Sequence, residues 1–169
     1  GYYLPFEYLE LRSMMKSCIS LDFRKKQKVG DVEFQLLDSG HIPGSAQILI
    51  EENGKRLLYT SDYNSVDTRL LLGADKDYGE LNAVIIESTY ANEDHPDRRN
   101  LEKEFVERVT DVVEAGGTVL IPSFSVGRSQ EIVCILAAYH FEYPIIIDGM
   151  TREVNRLLMN HKEFLRDPK

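Results

Sequence analysis

Short apolar runs alternate with longer amphipathic segments from residue 83 onward, and this alternation limits the accessible folds more than any other feature of the chain. The runs predict strands, and the segments after them have the apolar spacing of helices. The predicted strands cover residues 83–86, 118–121 and 145–147, and the predicted helices cover residues 96–115, residues 127–140 and a stretch from Asp148 onward. The predicted inward face of the first of these helices carries Leu101, Phe105, Val109, Val112 and Val113. Strands that alternate with helices of this length are typical of βαβ units in an α/β fold with a parallel sheet.

The first half of the chain has a different pattern, made of short β elements. Residues 32–36 alternate apolar and polar side chains, and residues 46–50 and 56–60 flank Asn53-Gly54, a dipeptide typical of tight hairpins. A helix is predicted over residues 5–18, whereas residues 21–30 are basic and predicted to be irregular. Because the pattern changes near residues 90–96, we predict two domains, over residues 1–95 and 96–169.

The net charge, the lengths of the apolar stretches and the cysteines limit the class of protein to which the chain can belong. Twenty basic and 28 acidic residues give a net charge of −8, whereas broad charge-driven binding to nucleic acids normally needs a basic face. Metal ions and backbone amides can still hold phosphate groups locally. The longest apolar stretch, residues 132–139, is too short to span a membrane, and no targeting segment is visible. Cys18 and Cys134 are isolated, which favours reduced core thiols in a cytoplasmic protein.

His41 and Asp62 are the first residues that suggest chemistry. His41 lies in the turn Gly-His-Ile-Pro-Gly-Ser after a predicted strand, and Asp62 follows the end of another strand in Tyr-Thr-Ser-Asp-Tyr. A histidine and a carboxylate at consecutive strand ends are typical ligands of zinc, although a catalytic zinc needs three protein ligands. The alternatives are a surface histidine and an aspartate that caps a turn at residues 63–66.

A second group of polar residues, Glu87, Ser88 and Thr89, follows the predicted strand 83–86 directly. Carboxylates at the carboxyl ends of buried strands often have functional roles in α/β proteins. Equally, Ser88 or Thr89 could cap a turn while Glu87 is solvated.

The third group is the strand-to-helix junction at residues 121–131, which is rich in hydroxyl groups and contains Gly127 and Arg128. Backbone amides at a helix start, with serine hydroxyls and an arginine, favour binding of an anion. Ser123 or Ser125 could instead simply cap the helix, and both roles are compatible. The junction has no Walker or dinucleotide-binding fingerprint. The other histidines, His95, His140 and His161, have no metal-binding spacing and are interpreted as structural or solvated.

In this order, the motifs GHIPGS, YTSDYN, VIIESTY, TVLIPSFSVGRSQE and PIIIDGM resemble the β-CASP branch of the metallo-β-lactamase superfamily. The chain is most similar to the archaeal and eukaryotic group related to the endonuclease subunit of the mRNA cleavage and polyadenylation factor. The resemblance covers residues 32–169. It implies part of an αββα metallo-β-lactamase sandwich in the first predicted domain. In the second it implies part of a Rossmann-like, parallel-sheet β-CASP domain.

The resemblance also implies roles for individual residues. His41 matches a zinc-ligating histidine, Asp62 matches a carboxylate that bridges two zinc ions, and Glu87 matches an acidic residue beside the metals. These three are the expected catalytic residues. Residues that match stretches lining the substrate cleft are Ser88, Thr89, Ser123, Ser125, Gly127 and Arg128. The expected activity is hydrolysis of RNA phosphodiester bonds in mRNA 3'-end processing, with RNA and either a homodimer or an RNA-processing complex as partners.

Several motifs of that family do not occur in this sequence. The HxHxDH motif, which supplies most of the metal ligands, does not precede GHIPGS, and no later histidines match the remaining ligands. We therefore expect a central fragment with an incomplete set of zinc ligands, inactive by itself. One alternative is a non-catalytic scaffold or binding module of an RNA-processing complex. Another is a small-molecule hydrolase of the wider superfamily, which the segment from residue 96 onward disfavours because simpler members lack it.

Overall fold

The computed structural model describes residues 5–167, and these form a first helix, a mixed sheet and a following group of helices. In chain order the elements are α1 (Tyr8–Lys16), β1 (Lys26–Val29), β2 (Val32–Asp38), β3 (Ala46–Glu52), β4 (Lys55–Tyr59), β5 (Ala83–Ile85), α2 (Arg98–Glu114), α3 (Arg128–Ala138), α4 (Thr151–Asn160) and a short 3₁₀ helix (Lys162–Phe164). The α/β class predicted from the sequence is confirmed.

The sheet has its strands in sequence order, β1-β2-β3-β4-β5. The first four strands are antiparallel neighbours, and β5 pairs parallel to β4 with Leu58 opposite Val84. The predicted hairpin between β3 and β4 is confirmed: Asn53 and Gly54 have φ angles of 50° and 74°, the positive values that a two-residue turn of this kind requires. This meander brings the ends of β2, β4 and β5 to one side of the sheet.

One hydrophobic core lies on a single face of the sheet. Leu37, Leu49 and Leu58 are buried there, and Tyr78 and Leu81 from the following loop pack against them. Leu37 is paired with Gln47 and Leu49 with Leu58, so the alternation of side chains along each strand places all four on the same face. A second core lies between α2 and α3 and is centred on Val106, Val109 and Leu136.

Gln47 is a polar residue inside the first core and is fully buried. Its amide donates to the carbonyl oxygens of Asp38 and Asp75 at 2.7 and 3.0 Å, and its oxygen accepts from the Tyr78 hydroxyl at 3.1 Å. Every polar atom of this side chain therefore has a partner, which removes the cost of burying it.

Two of the predicted strands are wrong in the residues that the structure describes. Segments 118–121 and 145–147 form no strand, because a strand needs a neighbouring strand to pair with and neither segment has one there. Leu120 is 88% exposed and Ile146 is 91% exposed. Among residues 5–167, parallel pairing is confined to β4 and β5.

Strand β5 exists, but it is exposed, although a continuous apolar run of this kind indicates a strand that is covered on both faces. Val84 and Ile85 are 49% and 53% exposed, and Ile86 directly after the strand is 58% exposed. Only β4 pairs with it in the described sheet, so its other edge is open.

The predicted inward face of α2 is partly wrong. Val109 is buried and Phe105 packs against the second core, but Leu101 and Val112 are 47% and 42% exposed. The buried side chains of α2 are Glu102, Val106 and Val109, so a charged residue occupies part of the inward face. The reason is a set of arginine partners described below.

Three further predictions change in detail. Helix α1 is shorter than predicted, and β1 forms within a segment predicted to be irregular because it pairs with β2. Cys18 and Cys134 are free thiols as predicted, but Cys18 is exposed rather than in a core. Across residues 5–167, none of the helices has the length and apolar character needed to cross a membrane.

Candidate active site

The turn that carries His41 is held by its own small side chains. The Ser39 hydroxyl donates to the Ser45 hydroxyl at 2.8 Å, which in turn donates to the carbonyl oxygen of Ile42 at 2.7 Å. Gly40 has a φ angle of 68°, and a Cβ atom there would lie 2.4 Å from the Asn64 carbonyl oxygen and 2.6 Å from the Ala74 nitrogen. Only glycine fits this position, so the turn can press directly against the loop that follows Asp62.

Asp62 follows β4 through a backbone conformation that non-glycine residues rarely adopt. Ser61 has a φ angle of 54°, which turns the chain at the end of the strand. No helix or turn at residues 63–66 is capped by Asp62, so the capping alternative is not what the structure has.

Asn64 joins the loops of His41 and Asp62, a role that was not predicted from the sequence. Its amide nitrogen donates to the Gly40 carbonyl at 3.2 Å, and its backbone nitrogen donates to the Ser39 carbonyl at 2.9 Å. Its side chain also bonds both the nitrogen and the carbonyl of Val66. An asparagine two residues beyond a proposed ligand, in a loop without periodicity, is the only sequence signal that could have drawn attention to it.

The structure brings His41 and Asp62 together. His41 Nε2 lies 3.7 Å from Asp62 Oδ2, and the two side chains are 46% and 74% exposed. A tetrahedral zinc ion holds nitrogen and oxygen ligands at about 2.0–2.2 Å, so two of its ligands lie roughly 3.4 Å apart. The observed separation and the types of donor atom therefore fit two ligands of one ion. Within residues 5–167 no group of three or more His, Cys, Asp or Glu side chains is placed to hold a metal.

Glu87 lies beside this pair. Its carboxylate accepts from the Thr89 amide at 2.9 Å and from the Tyr63 amide at 3.4 Å, and Tyr63 directly follows Asp62. Hydrogen bonds from the Thr89 hydroxyl and amide and from the Tyr63 amide, together with the nearby His41 imidazole, lower the pKa of Glu87. The side chain is thus exposed to solvent but held by these hydrogen bonds, which favour its ionised form.

The junction before α3 reaches the same side of the molecule through Gly127. Its φ and ψ angles are 81° and −69°, and the Arg128 amide donates to the Val126 carbonyl at 3.1 Å, which together describe a γ-turn of the rare, strained kind. A Cβ atom on Gly127 would lie 2.9 Å from Ile42 Cγ2. The start of α3 therefore packs on the residue next to His41.

The remaining residues of the junction have partners that differ from those predicted. Gly127 is the N-cap and no side chain caps α3, so the helix-cap alternative for Ser123 and Ser125 is wrong. Their hydroxyls instead donate to the Ile121 carbonyl and the Met150 sulfur. The amides of Arg128 and Ser129 donate to the carbonyls of Val126 and Phe124, and the Arg128 side chain is exposed.

The other residues singled out from the sequence lie outside this cluster. Ser88 is exposed, and its carbonyl accepts from the Ala91 amide in the turn after Glu87. The histidines His95, His140 and His161 are all exposed; His95 contacts the Tyr90 ring edge-on, and His161 lies 3.1 Å from Glu163.

Comparison with known proteins identifies relatives along nearly the whole chain, although no protein-family model matches it. The RNase aCSPSF2 of Saccharolobus solfataricus is 37% identical over 169 residues, which is 99% of this chain and 34% of that protein. The Probable RNase MJ4 of Methanocaldococcus jannaschii is 41% identical over 97% of this chain and 39% of its own length. The Cleavage and polyadenylation specificity factor subunit 3 of Dictyostelium discoideum is 34% identical over 82% of this chain and 18% of its own length.

The chain spans 34–39% of the length of these archaeal RNases. The alignment with these RNases runs through the first half and the second half alike, and so includes every motif on which the resemblance rests. The chain is thus homologous, over nearly its whole length, to a part of nucleases of the β-CASP branch of the metallo-β-lactamase superfamily.

Proposed function

We propose that this chain is a region of a metal-dependent ribonuclease that hydrolyses RNA phosphodiester bonds. The observation that carries the proposal is the pairing of His41 and Asp62 at 3.7 Å, with Glu87 anchored to the residue that follows Asp62. The names of the relatives, RNase aCSPSF2 and Probable RNase MJ4, support an activity on RNA.

His41 and Asp62 would hold metal through Nε2 and a carboxylate oxygen, with the remaining ligands supplied from outside this region. Zinc ions bound there would lower the pKa of a water molecule and stabilise negative charge on phosphate oxygens. Asn64 would hold the two ligands at a fixed distance from each other, because it joins the Asp62 loop to the Gly40 carbonyl by a hydrogen bond. Outer-shell residues of this kind commonly fix the geometry of metal ligands.

Glu87 would accept a hydrogen bond or a proton. Since its pKa is lowered, it is ionised at neutral pH and cannot serve as a general acid there. It would orient a histidine from outside this region or receive a proton through that histidine. Two hydrogen bonds to backbone amides keep its carboxylate in place for this role.

RNA would lie across the surface between Glu87 and the start of α3. The residues proposed to contact it are Ser88, Thr89, Ser123, Ser125, Gly127 and Arg128. Arg128 supplies the positive charge for a phosphate group, and the positive end of the α3 dipole supports it. Local binding of this kind is compatible with a net charge of −8.

We also propose that the domain boundary lies at residue 95. The core of Leu37, Leu49 and Leu58 is formed before this point, and the core of Val106, Val109 and Leu136 is formed after it. The two free thiols support a reducing compartment such as the cytoplasm. A homodimer or an RNA-processing complex is the proposed assembly.

The test is an RNA cleavage assay of the protein that contains this region together with the full ligand set. Asp62→Ala should abolish zinc-dependent cleavage, whereas Asp31→Ala, in the exposed turn before β2 at the opposite end of that strand, should leave it intact. Retained cleavage by the Asp62 variant would refute the assignment. No cleavage by the unmodified protein would favour the non-catalytic scaffold instead.

A further inference from the structure

Four charged side chains form a cluster where the loop after Asp62 meets α2 and α3, and we call it the Glu131 cluster. It consists of Arg69, Arg98, Glu102 and Glu131. Glu102 and Glu131 are only 5% and 8% exposed. Arg69 donates twice to Glu102 Oε2, at 2.9 and 2.7 Å, and Arg98 donates to Glu102 Oε1 at 3.0 Å and also to Glu131 Oε1.

Glu131 also holds the backbone of the loop. Its two carboxylate oxygens accept from the amides of Arg69 and Leu70 at 2.9 and 2.7 Å. The buried carboxylate therefore has a charged partner and two amide donors, and loss of any of them would leave an unpaired polar group in the interior.

Both sides of the cluster lead to the candidate active site. On one side the loop begins at Asn64, two residues after Asp62, and is closed by a hydrogen bond from the Ala74 amide to the Asn64 carbonyl. On the other side, the Glu131 amide donates to the Gly127 carbonyl at 2.9 Å, and Gly127 packs on Ile42. Glu131 thus links the segment that carries a proposed metal ligand to the segment that is proposed to contact RNA.

Stability alone does not account for such a cluster. Replacement of buried ion pairs by apolar residues is often neutral or stabilising, because removing charges from water is costly. A cluster of two buried glutamates with two arginines fixes a specific geometry instead, since every hydrogen bond in it has a direction.

We propose that Glu131 is a positioning residue of the ribonuclease site: the cluster sets the separation between the metal-binding edge at His41 and Asp62 and the RNA-contacting start of α3. The inference rests on the proposed function and deepens it. An RNA substrate that contacts both the metal-binding edge and the start of α3 needs the correct distance between them. A small phosphodiester that binds only at the metals does not. The cluster should therefore matter for RNA and not for a small substrate.

The experiment compares two substrates in the protein that carries the full ligand set. Glu131→Gln replaces one acceptor oxygen by an NH₂ group that faces a backbone amide, and it removes the ion pair with Arg98. We expect kcat/KM for an RNA oligonucleotide to fall about 10-fold or more, because displacements near 1 Å can cost up to about 100-fold. Hydrolysis of bis-p-nitrophenyl phosphate and the zinc content should stay within about twofold of the unmodified protein.

Two further variants keep the test decisive. Arg98→Lys leaves the hydrogen bonds from the Arg69 and Leu70 amides to Glu131 in place, and it should give a smaller loss of RNA cleavage with no loss on the small substrate. This variant tests the inference even if Glu131→Gln does not fold. Glu104→Gln, which breaks an exposed pair with Arg108 on α2, is the matched control and should change neither substrate. Equal losses on both substrates, or no loss on RNA, would overturn the inference while the proposed function stands. If the unmodified protein cleaves no RNA, the proposed function itself fails, and the inference falls with it.

Discussion

Gly40 and Gly44 lie in the same turn and offer a direct test of how tightly the His41 loop is fitted. Both have positive φ angles, 68° and 80°. A Cβ atom on Gly40 would collide with backbone atoms of Asn64 and Ala74, whereas a Cβ atom on Gly44 would meet nothing within 4 Å. Replacement of each by alanine therefore carries the same kind of conformational strain, and only the Gly40 change adds a steric clash.

The expected changes in the free energy of unfolding follow from the conformational strain, the steric clash and one weakened hydrogen bond. An alanine in the left-handed region costs about 1–2 kcal/mol at either position. At Gly40 the clash adds about 1–3 kcal/mol for overpacking, because the neighbours are backbone atoms that cannot rotate away. Displacement of Ala74 also weakens its 2.8 Å hydrogen bond to Asn64, which is worth roughly 1 kcal/mol. We expect Gly40→Ala to destabilise the chain by about 3–6 kcal/mol and Gly44→Ala by about 1–2 kcal/mol.

The assay is urea unfolding of both variants beside the unmodified chain, with hydrogen exchange at the Ala74 amide as a local readout. The Gly40 variant should lose protection at this amide, and the Gly44 variant should keep it. Equal free energies of unfolding for the two variants would refute the reasoning, since they would mean that the close approach of the two loops has no energetic weight.

Three other substitutions test separate parts of the structure. Asn64→Ala removes the amide bond to Gly40 and should weaken zinc binding by the protein with the full ligand set about 10-fold or more, measured by competition with a chelator. Burial raises the pKa of Asp38, against an opposing hydrogen bond from the Gly40 amide, so the ionised form is disfavoured in the folded state. The stabilising effect of this raised pKa is present below pH 3.8 and is lost as the pH rises through the pKa of the folded state. Asp38→Asn should therefore raise the urea midpoint at pH 7, and the gain should vanish as the pH falls through 3.8. Leu136→Ala should cost about 2–5 kcal/mol in urea unfolding, because Leu136 is 2% exposed in the helical core.

Features that depend on local chemistry were predictable from the sequence. Asn53-Gly54 specifies a tight hairpin by its backbone preferences alone, and β3 and β4 follow from it. The proximity of His41 and Asp62 was also predictable, because both follow strands that end at the same side of a meander. Their assignment as metal ligands stays a prediction.

Features that depend on distant partners were not predictable. Segments 118–121 and 145–147 have the composition of strands, but no neighbour pairs with them among the described residues. The predicted inward face of α2 does not include Glu102, because a glutamate is rarely buried, yet its side chain is buried beside Arg69 and Arg98. Sequence periodicity does not predict this ion pairing, since Arg69 lies 33 residues from Glu102 in the sequence.

The open edge of β5 determines how the isolated chain behaves in concentrated solution. Its unpaired amides and carbonyls, beside the exposed side chains of Val84, Ile85 and Ile86, form a template on which a second extended segment can assemble. Residues 118–121 and 145–147 supply such segments within every copy of the chain. Intermolecular strand exchange is therefore the expected route to aggregation. A lysine at Val84 or Ile86 is the change that should keep preparations monodisperse, because charge on an edge strand opposes such pairing.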